Sequence, residues 1–245
     1  MKILVCVTSV PDTTTKITFT DNNTKLSKAG VTFITGPYDD YALARAVELK
    51  EKLGASVTVL NVGGVDAEPV IRKCLAIGAD DAIRVNAEPR DAFFVAEQIA
   101  AIAKENKYDL ILMGRESIDF NGGQVHGIVG EMLGIPSISP VMLLDIDGDT
   151  VKITREIEGG KEELEAKLPL VLGCQEPIAE WKIPNMRGIM TARTKPLKVV
   201  EPTGTDVLTD VSGYELPPAR GAVKMIKAED AETLIQLLRT EAKII

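Results

Sequence analysis

Between Ser56 and Leu133 the chain alternates short apolar runs with segments of helical spacing, and this alternation limits the possible folds most. Leu110–Met113 is a short apolar run, which predicts a buried parallel strand, and Ser56–Val62 and Ala82–Val85 read as further strands. Ala67–Ile77, closing at Gly78, and Phe93–Ala103 carry helical spacing between them. Parallel strands need such crossovers, and crossovers of one hand put helices on the sheet's faces. The expected fold is therefore α/β: a parallel doubly wound sheet with helices on both faces. Lys2–Val7 adds a strand, and Asp39–Leu53 adds an amphipathic helix with Leu43, Ala46, Val47 and Leu49 on one side and Gly54 as its stop. Lys16–Thr20 and Val31–Thr35 flank a polar stretch and are expected to form a hairpin or two edge strands.

After Gly134 the pattern changes. Pro136–Ile146, Thr150–Ile157 and Glu162–Leu168 alternate with period two, separated by Asp147-Gly148-Asp149 and Glu158-Gly159-Gly160. These predict a small antiparallel β extension over about residues 137–168. Leu170–Cys174 is a strand able to rejoin the main sheet. The first domain is expected to span 1–194, and residues 195–245 to form an extended C-terminal arm that packs on a partner subunit. The arm's only periodic segment is Ala231–Ile245, with Leu234, Ile235, Leu237 and Leu238 forming an apolar strip.

With 28 basic and 36 acidic side chains the net charge is −8, which argues against a nucleic-acid-binding face. Cys6, Cys74 and Cys174 sit in apolar segments with no paired spacing, so no disulfide, metal or redox motif is expected. The chain opens directly on a strand, without a signal sequence, and no apolar run is long enough to span a bilayer. A cytoplasmic protein without direct membrane insertion is the expectation.

The stretch Tyr108–Gly134 runs from apolar strand through a polar glycine-bearing loop into a helix. In a parallel sheet this geometry puts ligands at the carboxyl edge. Gly122 and Gly123 precede the helix, where backbone N–H groups can approach a phosphate; Asp119, Asn121 and Gln124 add side-chain partners. From spacing alone the loop suits a ligand cradle and a solvated connection equally well. Walker, dinucleotide and nucleophile-elbow motifs are absent. His126, the one histidine, reads more readily as a helix-surface or interface residue than as a general base. Asp39 and Asp40 read as N-terminal helix caps. A nucleotide-shaped pocket without catalytic machinery points to binding or redox relay.

The loop GRESIDFNGGQVHG, from Gly114, resembles the nucleotide loop of the beta subunit of electron-transfer flavoproteins. ILVCVTSVPD from Ile3, GPYDD from Gly36, IRKCLAIGAD from Ile71, REIEGG from Arg155 and Lys182–Lys195 resemble other segments of that family in register. The resemblance implies an electron-carrier subunit, with no catalytic residue and no metal, rather than an enzyme on its own. Such subunits pair with an alpha subunit, share an FAD with it, and hold a structural AMP. By position, the AMP pocket would be lined by Cys6, Gly36, Pro37, Tyr38, Asp39 and Val62. The phosphate would lie on Gly114, Arg115, Glu116, Ser117, Ile118, Asp119, Phe120, Asn121, Gly122, Gly123, Gln124 and Val125. A recognition loop over about 180–193 would dock a partner through Met186, Arg187 and Ile189. The implied partners are the alpha subunit, acyl-CoA dehydrogenases of fatty acid β-oxidation as donors, and a membrane quinone reductase as acceptor.

The departures from the family pattern are Gly36 for Asn, Glu116 for Gln, Val125 for Thr and His126 for Gly. Two other functions stand beside the first: an electron-bifurcating subunit with a second FAD in the AMP pocket and NADH as donor, and an adenine-nucleotide-sensing module. Asp39, Asn121 and the bulk of Phe120 favour AMP, since they leave no evident room for a flavin.

Overall fold

The computed structural model describes residues 1–204 and 206–245; position 205, within the expected arm, lies outside the described residues. Among the described residues the frame is a nine-stranded sheet. Its parallel centre consists of β1 (Lys2–Cys6), β6 (Ser56–Val62), β7 (Asp81–Val85), β8 (Leu110–Gly114) and β12 (Leu170–Cys174). β9 (Ser137–Asp147) continues the parallel part beside β12, and β10 (Thr150–Ile157) and β11 (Gly160–Lys167) run antiparallel at that edge. The strand order is β11-β10-β9-β12-β8-β1-β6-β7-β13, with β13 being Leu197–Val200. The expected antiparallel extension is thus the edge of the main sheet.

Odd and even positions of the strands feed two cores. Ile3, Val5, Val57 and Val59 pack with α1 (Pro37–Leu53) and α2 (Glu68–Ile77) on one face. Leu4, Cys6, Leu60 and Val62 pack with α3 (Ala92–Asn106) and α4 (Val125–Leu133) on the other. Period-two alternation in strands buried on both sides makes this unavoidable. α1 begins at Pro37, whose fixed φ suits the first helical position, and ends at Gly54 in the left-handed region (φ 67°).

Of the two arrangements expected for Lys16–Thr20 and Val31–Thr35, the hairpin does not form, whereas a short strand forms within each stretch. Instead β3 (Phe19–Thr20) pairs with β4 (Lys25–Leu26), and β5 (Phe33–Thr35) pairs with β2 (Ser9–Pro11). The polar turn is shorter than the composition suggested: Asp21, Asn22 and Asn23 all take positive φ and reverse the chain within four residues. The expected domain boundary at 194/195 falls before β13, which pairs in parallel with β7, so the α/β body runs on to Val200.

α5 (Met186–Ala192) lies against α2. Asn185 caps it, its Oδ1 accepting the Gly188 N–H at 2.8 Å. Arg72 Nη1 donates to the Ala192 carbonyl at 2.8 Å and the Lys195 carbonyl at 2.7 Å. Gly188 makes the approach possible, because a Cβ there would overlap the Ala76 carbonyl oxygen. Overpacking of this kind typically costs about 1–3 kcal/mol. Gly188→Ala should therefore lower Tm by a few degrees, about 2–4 °C per kcal/mol in a chain this long, and loosen α5 in limited proteolysis. An unchanged Tm would show that α5 does not depend on this contact.

Candidate functional site

The sequential crossovers β1–α1–β6 and β6–α2–β7 run one way along the sheet. The connection from β7 through α3 then returns to β8 on the far side of β1. β1 and β8 are therefore neighbours whose chains leave in opposite directions, and a crevice opens at their carboxyl ends. A cavity of about 1060 Å³ begins there.

One side chain closes the crevice's floor. Asp39, in the first turn of α1 and only 3% exposed, accepts the Thr8 N–H at 2.8 Å and the Thr8 hydroxyl at 2.6 Å through Oδ2. Its Oδ1 accepts the Gly114 N–H at 2.8 Å. Thr8 follows β1 and Gly114 ends β8, so one carboxylate ties α1 to both strand ends. Gly36 and Gly114 leave the space it fills: a Cβ on Gly36 would overlap the Thr8 hydroxyl and the Asp39 carboxylate, and one on Gly114 would lie 2.7 Å from Asp39 Oδ1. Burial pushes the Asp39 carboxyl up to about 6, against the hydrogen bonds from Thr8 and Gly114, which pull it down; Asp40 beside it adds a smaller upward push.

The expected site residues divide. Cys6 at the end of β1, Val62 at the end of β6 and Gly114 at the end of β8 all line the cavity. From the turn before α1 only Asp39 reaches it. Gly36, Pro37 and Tyr38 stay outside, and the Tyr38 ring lies under the Arg115 guanidinium at 5.4 Å. Of the loop after β8, Arg115, Glu116, Ser117, Asp119, Phe120, Gly122, Gly123, Gln124 and Val125 line the cavity, whereas Ile118 and Asn121 do not. Asn121 instead makes the bend, with φ 49° and its N–H donating to the Ser117 carbonyl at 2.7 Å.

This loop has the means to hold an anion. Gly123 takes φ 57°, and Gln124, at the capping position before α4, makes no side-chain cap, which leaves first-turn N–H groups without a capping side chain. Arg115 is partly engaged: Nη1 donates to Gln175 Oε1 at 2.8 Å and Nε lies 3.5 Å from Glu116. Burial raises the Asp119 carboxyl and lowers the His126 imidazolium, so both favour their neutral forms more than usual. His126 lines the cavity, with Nδ1 3.3 Å from the Ser137 hydroxyl. Burial, with Asp39 beside it, also pushes the Cys6 thiol up, which makes it an apolar wall and not a nucleophile. Among the described residues no group of three His, Cys, Asp or Glu is placed to hold a metal ion.

Distant segments complete the walls, and sequence spacing did not reveal them. Leu26, Lys28 and Phe33 come from the hairpin region, Glu88 to Ala92 from the loop before α3, and Val207 to Val211 with Tyr214 from the C-terminal arm. Lys28 bridges Asp66 at 2.9 Å and Glu88 at 3.3 Å across the rim. Buried Arg84 fixes the loop after β6 by donating to the Gly63 carbonyl at 2.9 Å. The volume stands at the top of the roughly 300–1,000 Å³ range of small-molecule sites. Phe120, 56% exposed, lines the cavity together with Asp39, whereas Asn121 does not.

The raised Asp39 carboxyl has a pH signature. The folded chain keeps this proton above the ordinary value of 3.8, so the contribution is fully present below pH 4 and lost as pH rises through about 6. Each unit between the two values is worth roughly 1.4 kcal/mol. Measured by urea unfolding, wild-type stability relative to Asp39→Asn should decline from pH 4 to pH 7. Parallel curves would contradict the buried, titrating carboxylate.

A family model for the electron transfer flavoprotein domain matches residues 24–205. The electron transfer flavoprotein subunit beta of Bacillus subtilis (strain 168) is 35% identical over 260 aligned residues, covering 100% of both chains. That of Syntrophomonas wolfei is 35% identical over 232, covering 94% of this chain and 90% of its own. The human subunit beta is 32% identical over 254, covering 100% and 99%. A match of this extent, on a crevice built from the ends of β1 and β8, means that the chain belongs to the electron transfer flavoprotein family, among its beta subunits.

Proposed function

We propose that this chain holds an adenine nucleotide, AMP, in the crevice between β1 and β8, with the phosphate on the loop Gly114–Val125. The carrying observation is the glycine-bearing loop that enters α4 without a side-chain cap at the carboxyl edge of the sheet. Cys6, Leu60 and Val62 supply apolar wall for a base. AMP here is structural: it needs no general base, and binding only the folded state stabilises that state by mass action. The partner is an alpha subunit, with which an FAD is shared; the flavin supplies the electron-carrying chemistry. Acyl-CoA dehydrogenases are the donors and a membrane quinone reductase is the acceptor in this account, with the chain working in the cytoplasm. Among the described residues no helix is long and apolar enough to cross a membrane.

Two exposed surfaces support a partner-dependent role over a lone sensor. Met186 is 74% exposed, with Trp181, Ile183, Ile189 and Met190 also exposed around it and Arg187 beside it at the surface. Such an apolar anchor on a capped helix suits docking to a dehydrogenase. The arm ends in α6 (Ala231–Leu237), none of whose residues is buried, and Val223 and Met225 are 84% and 85% exposed. These apolar side chains fit cover by the alpha subunit.

The cavity volume favours a second account, in which FAD occupies this pocket and NADH is the donor. Extraction of the complex co-purified with its alpha subunit separates the two by mass spectrometry and flavin absorbance. One FAD and one AMP per heterodimer is the expected result; two FAD and no AMP would replace it with bifurcation, and no nucleotide would remove the pocket assignment. Met186→Ala should slow reduction by an acyl-CoA dehydrogenase, on the order of 10-fold for an anchor worth about 1–2 kcal/mol, with bound nucleotide unchanged. Loss of nucleotide instead would make Met186 a structural residue.

A further inference from the structure

The segment Val207–Tyr214 crosses the mouth of the cavity and lines it through Val207, Leu208, Val211 and Tyr214. Polar contacts to the chain's own body hold it there. Asp91 is the central one, and its two oxygens are divided between two tasks. Oδ1 caps α3, accepting the Phe94 N–H at 2.8 Å. Oδ2 accepts the Leu208 N–H at 2.7 Å and the Thr209 N–H at 2.9 Å, with the Thr209 hydroxyl at 3.4 Å. At the far end the Tyr214 ring stacks on Phe19, with centroids 5.0 Å apart and planes 9° from parallel, and its N–H donates to the Asn23 carbonyl at 2.7 Å. Upstream, buried Gln98 exchanges two hydrogen bonds with the Thr203 backbone, at 2.6 and 2.7 Å.

Leu208 gains little apolar cover from the protein itself: it is 68% exposed although it lies along the cavity wall. A segment held mainly by a few polar contacts, with such a side chain in water, opens at low local cost. A ligand filling the cavity would give Leu208 the apolar cover it lacks. We infer that Val207–Tyr214 is part of the nucleotide site, a strap latched by Asp91 that retains the bound nucleotide. The inference rests on the proposed nucleotide pocket and adds residues from the other end of the chain to it. Coupling is reciprocal: a closed strap slows nucleotide release, and bound nucleotide keeps the strap closed.

Asp91→Ser tests the latch without removing the helix cap, because a serine hydroxyl still caps α3 but its single short side chain cannot also reach Leu208 and Thr209. Tyr214→Ala releases the far end and leaves α3 untouched. The full chain, co-purified with its partner subunit, is loaded with labelled AMP and chased with unlabelled AMP. Hydrogen exchange is followed at the amides of Leu208 and Thr209. Asp91→Ser should release AMP at least about 10-fold faster than wild type, the scale of losing charge-assisted hydrogen bonds, and Tyr214→Ala about 2- to 10-fold faster, the scale of losing an aromatic stack. In wild type, AMP should slow exchange at these amides. Wild type that retains AMP beside variants that release it at the wild-type rate would overturn the strap and leave the pocket standing. Faster amide exchange with unchanged AMP release would make the segment a surface tether and overturn it equally. Wild type that retains no AMP would overturn the pocket itself, and the strap with it.

Discussion

The carboxylate of Asp39 is the contact on which the site depends. It takes the N–H at the end of β1 and the N–H at the end of β8, and it belongs to the first turn of the helix that crosses beneath them. An ionised carboxylate in this position is tolerable only because three donors converge on it. Gly36 and Gly114 are the steric half of the same arrangement, since a side chain at either would occupy the carboxylate's place. With the two strand-end amides engaged by the protein, the free N–H groups that remain for an anion are those at the start of α4.

Much of this was legible in the sequence. An apolar run such as Leu110–Met113 can be buried on both faces only in a covered parallel sheet, and it is. Cys6, Val62 and Gly114, which the resemblance implied, lie along the cavity because each ends a parallel strand. Gly36, Pro37 and Tyr38 miss the cavity because a helix starting at Pro37 turns successive side chains through 100° each, and only Asp39 comes round to the strand ends. The sequence left the region between Lys16 and Thr35 open between a hairpin and two separate strands, and the turn decides for separate strands. Three successive residues with positive φ make a turn far tighter than a polar ten-residue stretch suggests, and β5 is thereby free to pair with β2.

The remaining walls carry no local signal. Asp91 precedes an apolar run and is legible as a helix cap, but its second oxygen serves Leu208 and Thr209, more than a hundred residues on. Residues 195–228 of the arm show weak periodicity because the contacts of Thr203, Leu208 and Thr209 are polar and backbone-directed rather than a buried stripe. Its residues therefore fall into three kinds: β13, which belongs to the sheet; the stretch across the cavity; and an exposed apolar end that fits a partner.

The most direct test is a crystal structure of the complex co-purified with its alpha subunit, without added nucleotide, inspected for density between β1 and β8. The account predicts an adenine nucleotide there, with a phosphate within hydrogen-bonding distance of the N–H groups of Gly122 to Val125 and the Asp39 bonds to Thr8 and Gly114 intact. An empty crevice, or a nucleotide whose phosphate lies away from that loop, would contradict it.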